Sequence, residues 1–312
     1  MVDSKHQWKA WLYLAPALVL LLVFTVWPII NTVRLAFLNN YNSLTAVNQE
    51  EVVTFSIGID NFLAVFNYDG FWTALKNTAI LTVITVPVST LLALLIAVAL
   101  NSIKPLQKVL QTIFFLPYVN NSIAIGMVFA AMFNVVGRGK LIVSAGIVNN
   151  IIEFFGGKAV NWINAGSSYW ANMFVLIVYI VWNALPFKIL VLLGGLQSVN
   201  KQYYDAAKVD STPRWRVFTK ITVPLLSPMI AYVVITGFIG GFKEYTSIVG
   251  IFGETMGPPG AKYRLDTIVG MIYRVLPDQN YGLASAAALI LFFIIFCVTM
   301  VNMQVSKKRV HY

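Results

Sequence analysis

Six runs of apolar residues, each long enough to cross a bilayer, constrain this chain more than anything else in it. The hydrocarbon core of a membrane is ~30 Å thick and takes about 20 residues of helix to span. By that measure spans fall at about 11–35, 73–100, 112–133, 169–193, 225–249 and 282–304. Inside lipid every backbone N–H and C=O must be satisfied within the protein, so such segments fold as helices. The expected fold is all-α: a polytopic membrane protein with six transmembrane helices forming one domain, 1–312. Composition agrees, with 58% hydrophobic and 11% charged residues, where a soluble chain carries about 25% charged. The first run, entered by Lys5 and Lys9 and carrying Pro16 and Pro28, is too long for a cleavable signal peptide and lacks a clear small-residue cleavage site. It reads as an uncleaved anchor.

The net charge of +10 does not mark a nucleic-acid binder, because the basic residues flank the apolar runs and do not gather on one face. One side of the expected topology collects Lys5, Lys9, Lys104, Lys108, the cluster at 201–220, Lys307, Lys308 and Arg309. The other holds Glu50, Glu51, Asp60, Asp69, Glu153, Glu254, Asp266 and Asp278, together with Arg138, Lys140, Lys158, Lys262, Arg264 and Arg274. The bias places the first side, and both termini, in the cytoplasm. A single cysteine, Cys297, excludes a disulfide framework, and His6 and His311 at the two ends exclude a histidine metal cluster. The outer connectors are longer than turns. Strand-like VVTFSIGI (52–59) lies in the first, LIVSAGIVNNIIEFF (141–155) in the second suits a helix lying at the interface, and Gly257-Pro258-Pro259-Gly260 in the third is a turn.

The connector after the fourth run, Tyr203 to Pro228, is charged yet patterned. Asn200 suits an N-cap, and the residues up to about Val209 suit a short helix. Asp210, Ser211 and Thr212 break it, and Thr212-Pro213 reads as a fresh cap and first-turn pair. A second helix, Arg214 to about Thr222, presents Trp215, Phe218 and Ile221 at helical spacing before Pro224 and Pro228 turn the chain into the membrane. Two short capped helices at a polar elbow form a rigid knob: either a docking surface or a re-entry packed on lipid headgroups.

Asp205-Ala206-Ala207, Asp210-Ser211 and Ile221-Thr222-Val223-Pro224, in that order and spacing, resemble the "EAA" loop of binding-protein-dependent ABC importer permeases. Lys208-Val209-Asp210, Arg214-Trp215 and Phe218 resemble its carbohydrate-uptake branch, which includes maltose, raffinose-type oligosaccharide and glycerol phosphate permeases. Leu185-Pro186-Phe187, Phe242-Lys243, Gly257-Pro258 and Tyr281 to Ala286 are similar to the same branch. Three positions depart: Asp205 stands for Glu, Ser211 for Gly, and Thr246 where family members often carry Asp. The resemblance implies the transmembrane domain of a type I ABC importer with a coupling loop at about 200–224. Asp205, Ala206, Ala207, Asp210, Ser211, Arg214 and Pro224 would then contact the ATPase. It also implies a second related permease, an ABC ATPase dimer and an extracellular or periplasmic solute-binding protein as partners, in a prokaryotic plasma (inner) membrane. No nucleic acid is implied. The chain has no G-x-x-x-x-G-K-[ST] motif, so ATP and Mg would be bound by the partner, with no cofactor and no catalysis here.

A second candidate site lies within the membrane. Lys243 and Glu244 interrupt the fifth run behind Gly237, Gly240 and Gly241. Charges at that depth are costly and usually face a bundle interior or an aqueous path, the alternative being residues that snorkel to the outer interface. Lys188 reads as a snorkelling or interhelical residue, the alternative being a role in the pathway. Sugars are recognised by amides, carboxylates and aromatic faces, so the candidate substrate lining is Tyr118, Asn121, Trp182, Asn183, Phe187, Lys243 and Glu244. Asparagine within a helix also commonly bonds a neighbouring helix. A rival reading makes Lys243 and Glu244 the coupling groups of an ion-driven secondary transporter. That class is favoured by inverted repeats, and none is evident.

Overall fold

The apolar runs form helices whose ends are set by caps, prolines and short hairpins. A computed structural model of the protein describes residues 7–39, 41, 56–103, 107–138 and 141–309. Lys5, His6, Glu50, Glu51, Lys104, Lys140, His311 and the first half of VVTFSIGI lie outside the described residues. Two compact units are distinguished, Met1–Phe71 with Met271–Phe292, and Trp72–Gly270 with Phe293–Tyr312.

In the first unit, α1 (Gln7–Leu21) continues through a π-helical turn, Leu22–Val26, into α2 (Trp27–Ala36). Pro28 has no N–H to return to the preceding turn, and the wide turn just before it accommodates the missing bond. The resulting helix, Trp8–Ala36, is long and apolar enough to span a membrane. Its end is fixed by the chain that follows. Strand β1 (Leu38–Asn39) pairs antiparallel with β2 (Ser56–Ile57), and α3 (Asp60–Asn67) begins directly after. Buried Asn61 donates to the carbonyls of Ala36 at 3.1 Å and Leu38 at 2.8 Å, which satisfies acceptors that a helix end leaves open.

The second unit carries most of the spans. Helix α4 (Phe71–Ser102) is followed by α5 (Gln107–Val119) and α6 (Ser122–Phe133). A hairpin of β3 (Val135–Arg138) and β4 (Leu141–Ala145) leads to α7 (Ile147–Phe154) and the long α8 (Tyr169–Ser198). Then come α9 (Lys201–Val209), α10 (Arg214–Val217), a π-helical stretch at Phe218–Thr222, α11 (Val223–Leu225), α12 (Ser227–Phe242), α13 (Thr246–Phe252) and α14 (Ile268–Val275). Helix α14 and the last helix, α15 (Tyr281–Arg309), each carry residues of both units. One core cluster joins Leu81 of α4 to Met173, Leu176 and Tyr179 of α8 and Ile248 and Ile251 of α13. A second joins Ala93 and Ala97 of α4 to Ile189, Leu192 and Leu193 of α8 and to Val233 of α12. Small residues at such contacts let helices approach closely, which is the main source of helix association where no water is squeezed out.

The structure refines the six expected spans. Among the described residues, four helices are continuous and long enough to cross: Trp8–Ala36, Phe71–Ser102, Tyr169–Ser198 and Tyr281–Lys307. The third expected run, 112–133, is broken by a 98° bend between Val109–Val119 and Ser122–Phe133. The fifth, 225–249, is not one helix. Arg214–Leu225 meets Ser227–Phe242 at 68°, and the helix stops at Phe242, so Lys243 and Glu244 lie in the break before α13. The stretch 141–155 is a strand followed by a short helix instead of one interfacial helix, because β4 finds a partner in β3. Apolar content alone does not reveal such pairing.

Candidate functional site

Helices α4, α5, α8 and α12 of the second unit surround a cleft of about 310 Å³, bounded by Glu244 where α12 ends. It is lined by Thr85, Val86 and Ser89 of α4, Tyr118 of α5, and Asn183, Phe187 and Lys188 of α8. Thr236, Gly237, Gly240 and Gly241 of α12 complete it. Tyr118 and Phe187 stack with ring centroids 6.1 Å apart. The cleft therefore offers an aromatic wall, an amide, hydroxyls and two charged groups, a set suited to a polyhydroxylated ligand.

Lys188 is the most constrained of these groups. It is buried, and its ammonium donates to Ser89 Oγ at 2.7 Å, Thr90 Oγ1 at 2.9 Å and the Val86 carbonyl at 3.2 Å. The two hydroxyl protons go elsewhere: Ser89 donates to the Thr85 carbonyl and Thr90 to the Val86 carbonyl. Their lone pairs are thus free to accept, and all three ammonium donors are matched by neutral oxygens. A buried charge is tolerated when its hydrogen bonds are complete. Lys188 joins α8 to α4, as the interhelical reading expects, and it also lines the cleft, the position the pathway alternative describes.

Glu244 is held as firmly. One carboxylate oxygen accepts the backbone N–H groups of Tyr245 and Ser247, each at 3.1 Å, and so caps the start of α13, where an anion is favoured. Its backbone carbonyl accepts from Thr267 Oγ1 at 2.8 Å. Lys243 is exposed and is not part of the cleft lining, so the adjacent pair diverges.

Of the seven expected lining residues, the structure brings Tyr118, Asn183, Phe187 and Glu244 to the cleft. Asn121, Trp182 and Lys243 are not among its walls. Asn121 is the N-cap of α6, accepting from the backbone of Ile123 at 2.9 Å. That cap restarts the helix after the 98° bend. Trp182 packs on Phe129 at 5.2 Å and Tyr179 at 6.5 Å, and the Tyr179 hydroxyl donates to the Ser122 carbonyl. What the sequence reading missed is the hydroxyl face of α4. Thr78, Thr82, Thr85 and Ser89 recur at helical spacing in an apolar run, and that periodicity was the available signal.

At the knob, Asn200 caps α9 by accepting from Gln202 N–H at 3.0 Å. Helix α9 ends in a Schellman motif: the Ser211 N–H bonds the Lys208 carbonyl at 3.0 Å, and the Thr212 N–H bonds the Ala207 carbonyl at 2.9 Å. Ser211 holds φ at +51°, the position where glycine is normally placed. Thr212 does not cap the next helix. Pro213 occupies the cap position with no side-chain bond. Asp205 is exposed and, among the described residues, pairs with Lys208 at 3.1 Å. Ala206 and Asp210 are exposed and Ala207 is buried. Ala207 lines a recess of about 550 Å³ with Arg214, Phe218 and Asn101 at the end of α4. Pro224 lies within α11, on the segment that bends into α12.

Comparisons with known proteins agree in kind. A family model described as "Binding-protein-dependent transport system inner membrane component" matches residues 61–311. The lactose transport system permease protein LacF of Rhizobium radiobacter is 27% identical over 96% of this chain and 95% of its own length. The trehalose/maltose transport system permease protein MalF of Thermococcus litoralis is 27% identical, covering 96% and 94%. The arabinooligosaccharides transport system permease protein AraP of Halalkalibacterium halodurans is 31% identical, covering 81% and 76%. In fold, the chain is similar to a bacterial ABC transporter involved in the import of the acidic polysaccharide alginate, with a TM-score of 0.75 over 97% of this chain and 96% of that one, at 23% identity.

Proposed function

The chain belongs to the family of binding-protein-dependent transport system inner membrane components, and from that premise we propose that it is the permease subunit through which an ABC importer takes up a carbohydrate, an oligosaccharide in particular. The permease receives the sugar from an extracellular or periplasmic solute-binding protein and works with a second, related permease. ATP and Mg are bound, and ATP hydrolysed, by a separate ATPase dimer. Both termini face the cytoplasm of a prokaryotic cell.

The observation that carries this reading is the knob at Lys201–Leu225. It presents Asp205, Ala206, Asp210 and Arg214 on its exposed side. Its elbow is fixed by backbone bonds between Lys208, Ala207 and the two residues after Asp210. A small, stiff, charged projection between two membrane helices can transmit a push, which a slack loop cannot. Closure of the ATPases moves the knob, and the motion opens the cleft alternately to the two sides of the membrane. The ion-driven alternative lacks comparable support, because Lys243 is outside the cleft and Glu244 is engaged as a helix cap.

The test is Asp205→Lys in the assembled transporter. Exposed ion pairs are worth about 0–1 kcal/mol, so the variant should insert and fold while ATPase association and sugar uptake both fall steeply. Unchanged association and uptake would sink the docking role.

A further inference from the structure

The three glycines of α12 that line the cleft differ in what surrounds them. A methyl carbon placed on Gly237 would lie 3.0 Å from Val86 Cγ1 and 3.3 Å from the Lys188 ammonium. One placed on Gly241 would lie 2.9 Å from Thr82 Cγ2. These two are packing glycines: they let α12 lie against α4 and the lysine bridge. One placed on Gly240 would meet no atom within 4 Å, and the helical backbone there imposes no positive φ. Yet glycine in a helix interior costs roughly 0.5–1 kcal/mol relative to alanine. At Gly237 and Gly241 close packing compensates for that cost. At Gly240 nothing in the protein does. Gly240 is exposed and lines the same cleft as Tyr118 and Phe187, so the open space beside it is taken as part of that cleft.

We infer that Gly240 is a specificity-determining position, whose missing side chain sets the width of the cleft and hence the size of saccharide that passes. The inference rests on the transport reading above and adds to it the residue that discriminates among carbohydrates. Steric selection of this kind is worth about tenfold or more in the ratio of two substrates when a pocket loses the room of one or two carbon atoms. The residue acts by volume alone. Larger apolar residues should progressively favour smaller sugars without touching the Lys188 or Glu244 networks.

Two measurements test it, both on the full chain in its assembled transporter. The first replaces Cys297, the only cysteine, with serine and compares Gly240→Cys with Gly237→Cys for reaction with a small, water-soluble methanethiosulfonate. Gly240→Cys should be modified several-fold faster, and equal rates would overturn the assignment of an open cleft position. The second measures uptake of radiolabelled maltose and maltotriose by Gly240→Ala and Gly240→Leu. The trisaccharide-to-disaccharide ratio should drop stepwise, by about tenfold for leucine, while Gly240→Ala melts at a higher temperature than the unsubstituted protein. An unchanged ratio, or a uniform loss of both sugars, would overturn the inference. If the unsubstituted transporter moves neither sugar, the pair is replaced by the shortest and next-longer saccharides that its solute-binding protein binds; if it moves no saccharide at all, the carbohydrate reading itself fails, and the thiol comparison still decides whether Gly240 faces open space.

Discussion

Ser211 shows what a single departure from the expected residue does. Positive φ costs an L-residue roughly 1–2 kcal/mol because Cβ meets the following carbonyl oxygen. The Schellman bonds around the elbow nonetheless hold Ser211 at +51°. Ser211→Gly should therefore stabilise the protein by about 1 kcal/mol, read as a higher melting temperature, with the knob's shape unchanged. A decrease in stability would show that the serine side chain contributes something beyond tolerating the turn. Lys188 permits a sharper test at the same scale. A hydrogen bond to a charged group is worth about 1.5–3 kcal/mol, so Ser89→Ala should destabilise the protein by about that much while Lys188 is present. In a Lys188→Met background the same change should cost little, since the Ser89 hydroxyl would then serve only the Thr85 and Val86 carbonyls of its own helix. A double-mutant cycle on thermal unfolding measures the coupling, and additive costs would mean that the ammonium and hydroxyl do not depend on one another.

Among the elements, the bent pairs matter most, because the cleft lies where helices stop. Helix α6 begins at the Asn121 cap and meets α13 at a contact where backbones nearly touch: a methyl carbon on Gly126 would lie 2.7 Å from Gly250 Cα. Backbone cannot yield as a side-chain tip does, so Gly126→Ala should cost about 1–3 kcal/mol through overpacking. The readout is melting temperature and the yield of folded protein in detergent; a neutral result would mean that α6 and α13 slide freely. These breaks also mark how far the sequence could be read. Length and apolarity identified the four continuous spans, since a 20-residue window averages over details that do not alter its sum. The same averaging concealed that the helix stops at Asn120–Asn121 and at Lys243–Tyr245, although Lys243 and Glu244 stand out as charges in the fifth run, because the break depends on which group caps the next helix. Capping chemistry correctly located Asn200 and the elbow, because those signals are local. The bond from Lys188 to Ser89 joins residues 99 positions apart, and no local rule pairs them. For the same reason Asn121, Trp182 and Lys243 were placed in the cleft on residue type alone, while the α4 hydroxyls that line it went unread.

For the molecule as a whole, the charge pattern and the helix lengths together predict an orientation that can be tested directly. Helix α8 has 30 residues, about 45 Å at 1.5 Å per residue, enough to put its two ends on opposite sides of a ~30 Å hydrocarbon core. Before its first residue the chain carries the exposed rings of Phe154 and Phe155. Beyond its last stands the knob with Lys201, Lys208, Arg214, Arg216 and Lys220. Lys and Arg in short loops are retained on the cytoplasmic side, which predicts a knob that faces inward, on the side of the proposed ATPase, and a Phe155 that faces outward. In a Cys297→Ser background, Phe155→Cys should react with a membrane-impermeant maleimide in intact cells, and Lys220→Cys should react only after the membrane is opened. The reverse pattern would put the knob outside the cell, where no ATP-driven partner could move it, and the coupling mechanism would fall with the orientation.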